Sequence, residues 1–179
     1  MSATYDVVLL VEQALTVADA RQVLSLHEEL DDPVVYHVLL PFEDAAARIE
    51  ASMGGLSGGE LMGNPTIGMQ EADIEAIRQD SQEQSDDELS ATLAALREAG
   101  GTADGKVVGD DPIDALAAEV SAVDGREAII LTRSHVVSEF FHRDWTSRAR
   151  RKIGVPVLHL LEHENFDEQA GSGEGVTGL

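Results

Sequence analysis

The sequence contains no cysteine, which excludes disulfide bonds, thiolate catalysis and cysteine-ligated zinc together. Basic residues are also scarce: 12 Lys and Arg stand against 34 Asp and Glu, so the formal net charge is −22. Because proteins that bind nucleic acid or anionic membranes must neutralise phosphates, we expect neither kind of partner. No apolar run approaches the roughly 20 residues that span a bilayer, and no positive region precedes the first apolar run. We therefore expect a cytoplasmic protein without a signal peptide.

Strand-like and helix-like segments alternate along the 179 residues. Continuous apolar runs of strand length are typical of strands buried on both faces. The alternation predicts an α/β fold, in which a five-stranded parallel sheet is sandwiched by helices in a Rossmann-like arrangement. The predicted strands span residues 6–11, 34–40, 106–109, 127–131 and 155–161, and the predicted helices include 17–30, 43–53, 71–84, 134–152 and two that begin near Ser85 and Pro112.

Helix boundaries carry local signals. Thr16 and Asp19 form one predicted capping box, and Ser85 with Glu88 forms a second that would begin a new helix. Gly100 and Gly101 close that helix, while Asp111 followed by proline is a strong helix start.

The predicted domain organisation is simple. Residues 1–163 form one α/β domain, interrupted at about 54–70 by a flexible glycine-rich insertion between the second strand and its helix. Residues 164–179 are rich in glycine and acidic side chains, and we expect this tail to be disordered.

Several segments taken in order resemble the universal stress protein family. They match its opening strand, its second strand, its strand–"GDP"–helix segment (here with one extra Asp), its fourth strand with the following loop, and its closing strand; the segments are Tyr5–Glu12, Tyr36–Leu39, Val107–Leu116, Ala128–Ser134 and Val155–Leu160. The resemblance covers roughly residues 4–162. It implies the adenine nucleotide alpha hydrolase-like fold and a homodimer that pairs through the fifth strand.

The resemblance fails at the family's nucleotide loop. ATP-binding members carry Gly-x2-Gly-x9-Gly-Ser/Thr after strand four, where glycines let the backbone approach phosphates. The matching positions here hold Leu131, Ser134, Asp144 and Trp145. The family's Asp at the end of strand one, which contacts the adenine side of the nucleotide, is matched by Glu12. The sequence thus predicts a relative without the standard ATP loop, and no cofactor is assigned, although ATP or AMP stays open.

Charge placement suggests an alternative anion site. Residues 133–152 carry six of the twelve basic residues against two acidic ones. The segment after strand four lies where open parallel sheets bind ligands, and a guanidinium there suits a phosphate or carboxylate. For residues 148–152 we favour a structural role instead, at the C-terminal end of a helix. The candidate nucleotide- or anion-binding residues are Glu12, Thr132, Arg133, Ser134, His135 and Trp145.

Three functions stay open at this point. The first is a non-enzymatic, universal-stress-protein-like binding or stress-response module. The second is a nucleotide- or small-anion-binding protein with a degenerate loop at Thr132–His135. The third is a small α/β hydrolase or transferase, which rests on fold analogy alone. No catalytic or metal-binding residue is predicted; His37 and His159 fall inside strands, where we expect them to be packed and hydrogen-bonded.

Overall fold

A computed structural model describes residues 4–42, 71–109, 111–132 and 147–161 of the chain. Residues 147–152 are helical. The other elements, in chain order, are β1 (Tyr5–Val11), α1 (Val17–Ser25), β2 (Val34–Pro41), α2 (Glu71–Glu98), β3 (Thr102–Val108), α3 (Pro112–Ala122), β4 (Glu127–Thr132) and β5 (Val157–Leu161).

The five strands form one sheet in the order β3-β2-β1-β4-β5, and every neighbouring pair is parallel. This arrangement confirms the predicted five-stranded parallel sheet. From β1 the chain builds outward through β2 to β3, then crosses back to place β4 on the other side of β1. The order of strands therefore reverses between β1 and β4.

Helices cover both faces of the sheet, as predicted. Val7, Leu9 and Val11 of β1 pack into a core with α1 and α2, whereas Val8 and Leu10 pack into a second core with α3 and with Ala149. Since successive side chains of a strand point to opposite faces, the continuous apolar run of β1 supplies both cores.

The predicted helix boundary at Ser85 is wrong, because α2 runs without a break from Glu71 to Glu98; the segments on both sides of Ser85 are helical, as predicted. Ser85 does not cap a new helix; it lies inside α2 and its hydroxyl donates to the carbonyl of Ser81 at 2.9 Å. Serine is tolerated inside a helix through this backward bond. No glycine or proline interrupts residues 71–99, and amide-to-carboxylate bonds from Gln82 to Asp86 and from Gln84 to Glu88 span the expected boundary.

The first helix ends five residues earlier than predicted, at Ser25 rather than at residue 30. Its predicted capping box is confirmed, because Thr16 and Asp19 exchange side-chain-to-backbone hydrogen bonds. Beyond Ser25 the chain tightens: the amide of His27 bonds to the carbonyl of Leu24, three residues back, at 3.0 Å. The turn carries the side chain of His27 into the protein, where it is 7% exposed.

The bounds of two strands also differ from the prediction. β3 begins at Thr102, four residues before the predicted start. The prediction missed these residues because the first half of the strand is polar and mostly exposed, and so has no apolar run. β5 begins at Val157 rather than at residue 155, after Pro156, whose carbonyl accepts from Ala128 at 2.9 Å.

The glycine pair at the end of α2 acts as predicted. Gly100 has a φ of 100°, and its amide bonds to the carbonyl of Arg97, while the amide of Gly101 bonds to that of Leu96. These two bonds form a Schellman motif, in which the left-handed residue is normally glycine. Asp111 likewise caps α3, accepting from the amides of Ile113 and Asp114.

Other predictions lie outside the described residues: the helix at 43–53, the insertion at 54–70, the first part of the helix at 134–152, and the tail at 164–179. Within the described part of the chain, no helix has the length and apolar character required to cross a membrane.

Gly105 of β3 generates a testable prediction, because a Cβ there would lie 2.6 Å from the carbonyl oxygen of Val38 and 2.8 Å from its Cβ. We expect Gly105→Ala to lower the free energy of unfolding by about 1–3 kcal/mol, as other overpacking substitutions do. Urea denaturation measures this change.

Gly109→Ala is the matched control, since nothing lies within 4 Å of a Cβ at that position. We expect its free energy of unfolding to stay within about 0.5 kcal/mol of the parent value. Equal losses of unfolding free energy in the two variants would show that the close approach of β3 to β2 is not the reason that position 105 requires glycine.

Candidate functional site

The carboxyl ends of β1 and β4 form the first candidate site. Val11 lies opposite Leu131 in the parallel register, so Glu12 and Thr132 are side by side at this edge of the sheet. The amide of Glu12 donates to the carbonyl of Leu131 at 3.2 Å. In open parallel sheets, ligands bind at the carboxyl edge where the strand order reverses, and that point is the gap between β1 and β4.

The structure therefore brings together two of the six predicted site residues, Glu12 and Thr132. The other four, Arg133, Ser134, His135 and Trp145, lie outside the described residues. Their part in a site stays a prediction.

Thr132 is fully buried, and its hydroxyl oxygen lies 2.8 Å from Nε2 of His159. This contact joins the end of β4 to β5, and it agrees with the expectation that His159 is hydrogen-bonded within the sheet. The side chain of Thr132 therefore lies beneath the surface of this edge, where solvent does not reach it.

The loop that follows β1 is held by a contact that sequence reasoning missed. The amide of Leu15 donates to Oγ1 of Thr92 at 3.1 Å, and the hydroxyl of Thr92 donates in turn to the carbonyl of Glu88 at 2.9 Å. Thr92 is fully buried inside α2. Because α2 supplies this acceptor, the loop that follows Glu12 is held by a helical residue 77 positions after Leu15.

The basic cluster at residues 148–152 is partly neutralised by the start of α3. A guanidinium nitrogen of Arg148 lies 2.6 Å from Oδ2 of Asp111, and the ammonium of Lys152 binds the carboxylate of Asp114. The bond from Arg148, together with the amides that Asp111 caps, holds the pKa of Asp111 below its usual value. Arg148 and Lys152 therefore have a structural role, as expected, but through carboxylates of α3.

The opposite, amino-terminal edge of the sheet holds two histidines bonded to carboxylates. His37 of β2 lies between two strands, with Nε2 at 2.9 Å from Oδ1 of Asp6 and Nδ1 at 2.8 Å from Oδ1 of Asp104. Burial lowers the pKa of His37, but the bonds to the two carboxylates outweigh burial and raise it above 6.5. Burial likewise raises the pKa of Asp6, yet the bonds from His37 and Thr4 bring it below 3.8.

His27 makes the second contact of this kind, on the other face of the sheet. Its Nδ1 lies 2.9 Å from the hydroxyl of Tyr36, and its Nε2 binds the carboxylate of Glu127. A carboxylate only accepts, so Nε2 carries the proton of that bond, and Nδ1 shares the second hydrogen bond with the hydroxyl of Tyr36. Burial, followed by the charge of Glu127, raises the pKa of Tyr36. The ring of Tyr5 lies 5.9 Å from that of His27, so both tyrosines of the chain surround this histidine.

These contacts do not form a metal site: the described residues include no cluster of three or more His, Cys, Asp or Glu side chains placed to hold a metal ion. Sequence reasoning missed these contacts because the bonded residues lie far apart in the chain. Asp6 and His37, for example, are 31 residues apart, so no local motif marks the pair.

Comparison with known sequences gives no match, either among protein-family models or among curated proteins. Comparison with solved structures does give matches. A universal stress protein from Archaeoglobus fulgidus superposes with a TM-score of 0.51 at 14% identity, over 88% of this chain and 98% of that one. A universal stress protein family protein from Arabidopsis thaliana with AMP bound gives 0.51 at 14% identity, over 91% and 94%.

A third structure, of a hypothetical protein used to test the assignment of biochemical function from structure, gives a TM-score of 0.56 at 11% identity, over 91% of this chain and all of that one. These similarities establish the fold: the chain has the α/β architecture of universal stress proteins, and the resemblance in fold predicted from the sequence is confirmed.

The contacts of His37 predict a pH dependence of stability. Because the pKa of His37 is raised in the folded state, its contribution is complete below pH 6.5 and is lost as pH rises through the folded pKa. The contribution of Asp6, whose pKa is lowered, is present above pH 3.8 and is lost as pH falls through its folded pKa. We expect the free energy of unfolding to fall from pH 6 towards pH 9 more steeply in the parent than in His37→Gln.

Urea denaturation across this range measures the two slopes, and NMR titration of the His37 ring measures its pKa directly. Asp104→Asn removes one of the two carboxylates and should bring that pKa closer to 6.5. Parallel stability curves for the parent and His37→Gln would show that His37 does not carry the dependence.

The contact between Thr92 and Leu15 gives a further prediction. Thr92→Val keeps the volume but leaves the buried amide of Leu15 without its acceptor, which costs about 1–3 kcal/mol. Ser121→Ala is the matched control, because the hydroxyl of Ser121 also donates to a helix carbonyl four residues back but is exposed. Hydrogen exchange at the amide of Leu15 should accelerate in Thr92→Val alone; unchanged exchange would show that the loop is held by other contacts.

Proposed function

We propose that this chain is a non-enzymatic, universal-stress-protein-like stress-response module that binds an adenine nucleotide at the carboxyl edge of β1 and β4. The observation that carries the proposal is the position of Glu12 and Thr132 beside each other where the strand order reverses. The AMP-bound Arabidopsis protein, whose fold matches over 91% of this chain, supports the class of ligand.

The proposed ligand is a monophosphate such as AMP rather than ATP. Glu12 places a carboxylate group at the edge of a chain whose formal charge is −22, and each added phosphate increases the repulsion. A carboxylate suits the other end of the nucleotide, because it accepts hydrogen bonds from ribose hydroxyls. Asp144 and Trp145 stand where the family's ATP loop has Gly and Ser/Thr, which also favours a shorter phosphate chain.

In this proposal the phosphate is bound by the segment that follows Thr132. Arg133 supplies a guanidinium group for bidentate binding, Ser134 and His135 supply further donors, and Trp145 provides a ring that stacks on the ligand. A free phosphate or another small anion would use the same donors without Glu12.

We further propose that the protein is a cytoplasmic homodimer that pairs through β5. In the described sheet β5 is the last strand beyond β4, and Leu158 on it is 37% exposed. A second copy would cover this strand edge and its apolar side chain.

A hydrolase or transferase is the second candidate, and one contact favours it. The hydroxyl of Thr132 and Nε2 of His159 are 2.8 Å apart, which is the spacing of a nucleophile and its general base. Thr132 is fully buried, however, so its hydroxyl has no access to a substrate in this structure. Burial is the reason that we favour binding over catalysis.

A thermal-shift titration with AMP, ATP and inorganic phosphate, with and without magnesium, tests the proposal. A ligand at a hundred times its Kd stabilises the native state by about 2.7 kcal/mol, which raises Tm by roughly 5–10 °C for a chain of this length. We expect this shift with AMP and a smaller one with ATP. Glu12→Ala should weaken AMP binding about tenfold, because it removes a charged hydrogen-bond acceptor.

Glu29→Ala is the matched control, since Glu29 is an exposed carboxylate in the turn after α1, at the other edge of the sheet. Arg133→Ala should abolish the response to phosphate and to AMP alike. Absence of any shift at millimolar ligand would reject the nucleotide proposal, whereas a shift with phosphate that Glu12→Ala leaves intact would indicate a simple anion site.

A further inference from the structure

The side chain of His37 joins three neighbouring strands through two carboxylates. Its Nε2 lies 2.9 Å from Oδ1 of Asp6 in β1, and its Nδ1 lies 2.8 Å from Oδ1 of Asp104. Asp104 is directly opposite His37 in the register of β2 with β3. A carboxylate only accepts hydrogen bonds, so each contact requires a proton on the ring nitrogen. The two bonds therefore exist together only while the ring is a positively charged imidazolium ion.

The two carboxylates that bind His37 differ in their surroundings. The side chain of Asp6 is 17% exposed and that of Asp104 is 67% exposed. Asp6 also accepts from the hydroxyl of Thr4 at 2.7 Å, and the charge of Arg126 acts on it. A carboxylate that loses its partner costs more free energy where it is buried than where water solvates it. A neutral ring therefore keeps its one proton on Nε2, bonded to Asp6, and Nδ1 is left unprotonated opposite Asp104.

The first half of β3 is the part of the sheet that this change affects. Of residues 102–105, only Ala103 is buried, so burial of side chains contributes little to holding them. Besides the ladder with β2, a guanidinium nitrogen of Arg97 donates to the carbonyl of Ala103 at 2.8 Å. The second half of the strand is attached to α3, because the ammonium of Lys106 binds the carboxylate of Glu119.

We propose that His37 is a pH-sensitive link to β3: loss of one proton from its ring breaks the bond to Asp104, keeps the bond to Asp6 and loosens residues 102–105 while the rest of the sheet stays folded. The neutral Nδ1 and the carboxylate of Asp104 are both acceptors, so they repel each other and the exposed carboxylate turns to water. This device does not depend on the proposed nucleotide site, which lies at the other edge of the sheet.

The change of charge comes from the ring and not from the groups around it. Asp6 of β1, Asp104 of β3 and Arg126 before β4 surround His37, and the pair of Lys106 and Glu119 is the next link along β3. Carboxylates, guanidinium and ammonium groups of ordinary pKa keep their charge between pH 6 and pH 9. Burial lowers the pKa of His37, but the two carboxylates outweigh burial and raise it, so the ring loses its proton as pH rises above 6.5.

Nitrogen-15 NMR of the imidazole ring shows which nitrogen loses the proton. As pH rises from 6 to 9, we expect the Nδ1 resonance of His37 to move to the position of an unprotonated nitrogen, while Nε2 stays protonated. Hydrogen exchange of the full chain, corrected for the intrinsic effect of pH, follows the strands over the same range. Protection at residues 102–105 should fall roughly two- to fivefold, the range for an exposed ion pair, and should stay below that of β1.

Asp104→Asn tests the mechanism, because a carboxamide accepts from the protonated Nδ1 and donates to the unprotonated one. Protection at residues 102–105 should then no longer depend on pH. Asp31→Asn is the matched control, since it removes the same charge from an exposed side chain just before β2. We expect this variant to show the same fall in protection as the parent.

Three results would each overturn the proposal. The first is loss of the proton from Nε2 rather than from Nδ1. The second is protection at residues 102–105 that does not change with pH in the parent, or that equals the protection of β1, which would show that β3 does not open by itself. The third is a fall in Asp104→Asn as large as that in the parent and in Asp31→Asn.

Discussion

The burial of β1 on both faces is the constraint on which the other described elements depend. Val7 to Val11 are all fully buried, and burying each such side chain contributes roughly 1.5–3 kcal/mol. A strand of this kind needs a hydrogen-bonded neighbour on each side and a helical layer on each face, because an exposed edge or face would leave its backbone groups or apolar side chains in contact with water. β2 and β4 fill the two sides, and α1, α2 and α3 supply the layers.

The same constraint places the polar groups at the two ends of the strand. From Val7 to Val11 every side chain is fully buried, and Asp6 and Glu12 are the carboxylates on either side of this buried run. At the amino end Asp6 meets His37, which also bonds to Asp104 and so ties three strands together. At the carboxyl end Glu12 lies beside Thr132 where the strand order reverses. The two edges thus differ in chemistry: histidine–carboxylate bonds lie at the amino-terminal edge, and Glu12 lies at the carboxyl edge beside the point where the strand order reverses.

Local signals in the sequence predicted the elements well, and tertiary contacts account for what they missed. Apolar runs located all five strands, and the pairs Thr16 with Asp19 and Gly100 with Gly101 located helix ends, because each signal acts within a few residues. Ser85 was wrongly predicted to begin a helix, because a serine hydroxyl finds a hydrogen-bond partner inside a helix as readily as at its start. The end of α1 was misplaced because His27 bonds to residues 9 and 100 positions away, and no pattern along the chain encodes those partners. Of the candidate site, the family resemblance located Glu12 and Thr132, whereas the bond from Leu15 to Thr92 joins residues 77 positions apart and has no local signal in the sequence.

The distribution of positive charge bears on what the carboxyl edge can bind. Half of the basic residues lie between 133 and 152, but Arg148 and Lys152 are already paired with Asp111 and Asp114 at the start of α3. Turning either cation to a ligand would break its ion pair with α3, whereas Asp111 would still cap that helix. In the proposed nucleotide site, neutralising a phosphate chain would then depend on the basic residues closest to Thr132 in the sequence, foremost Arg133. One guanidinium group balances one phosphate far better than three, so the supply of cations, as much as the missing glycines, favours the proposed monophosphate over a triphosphate.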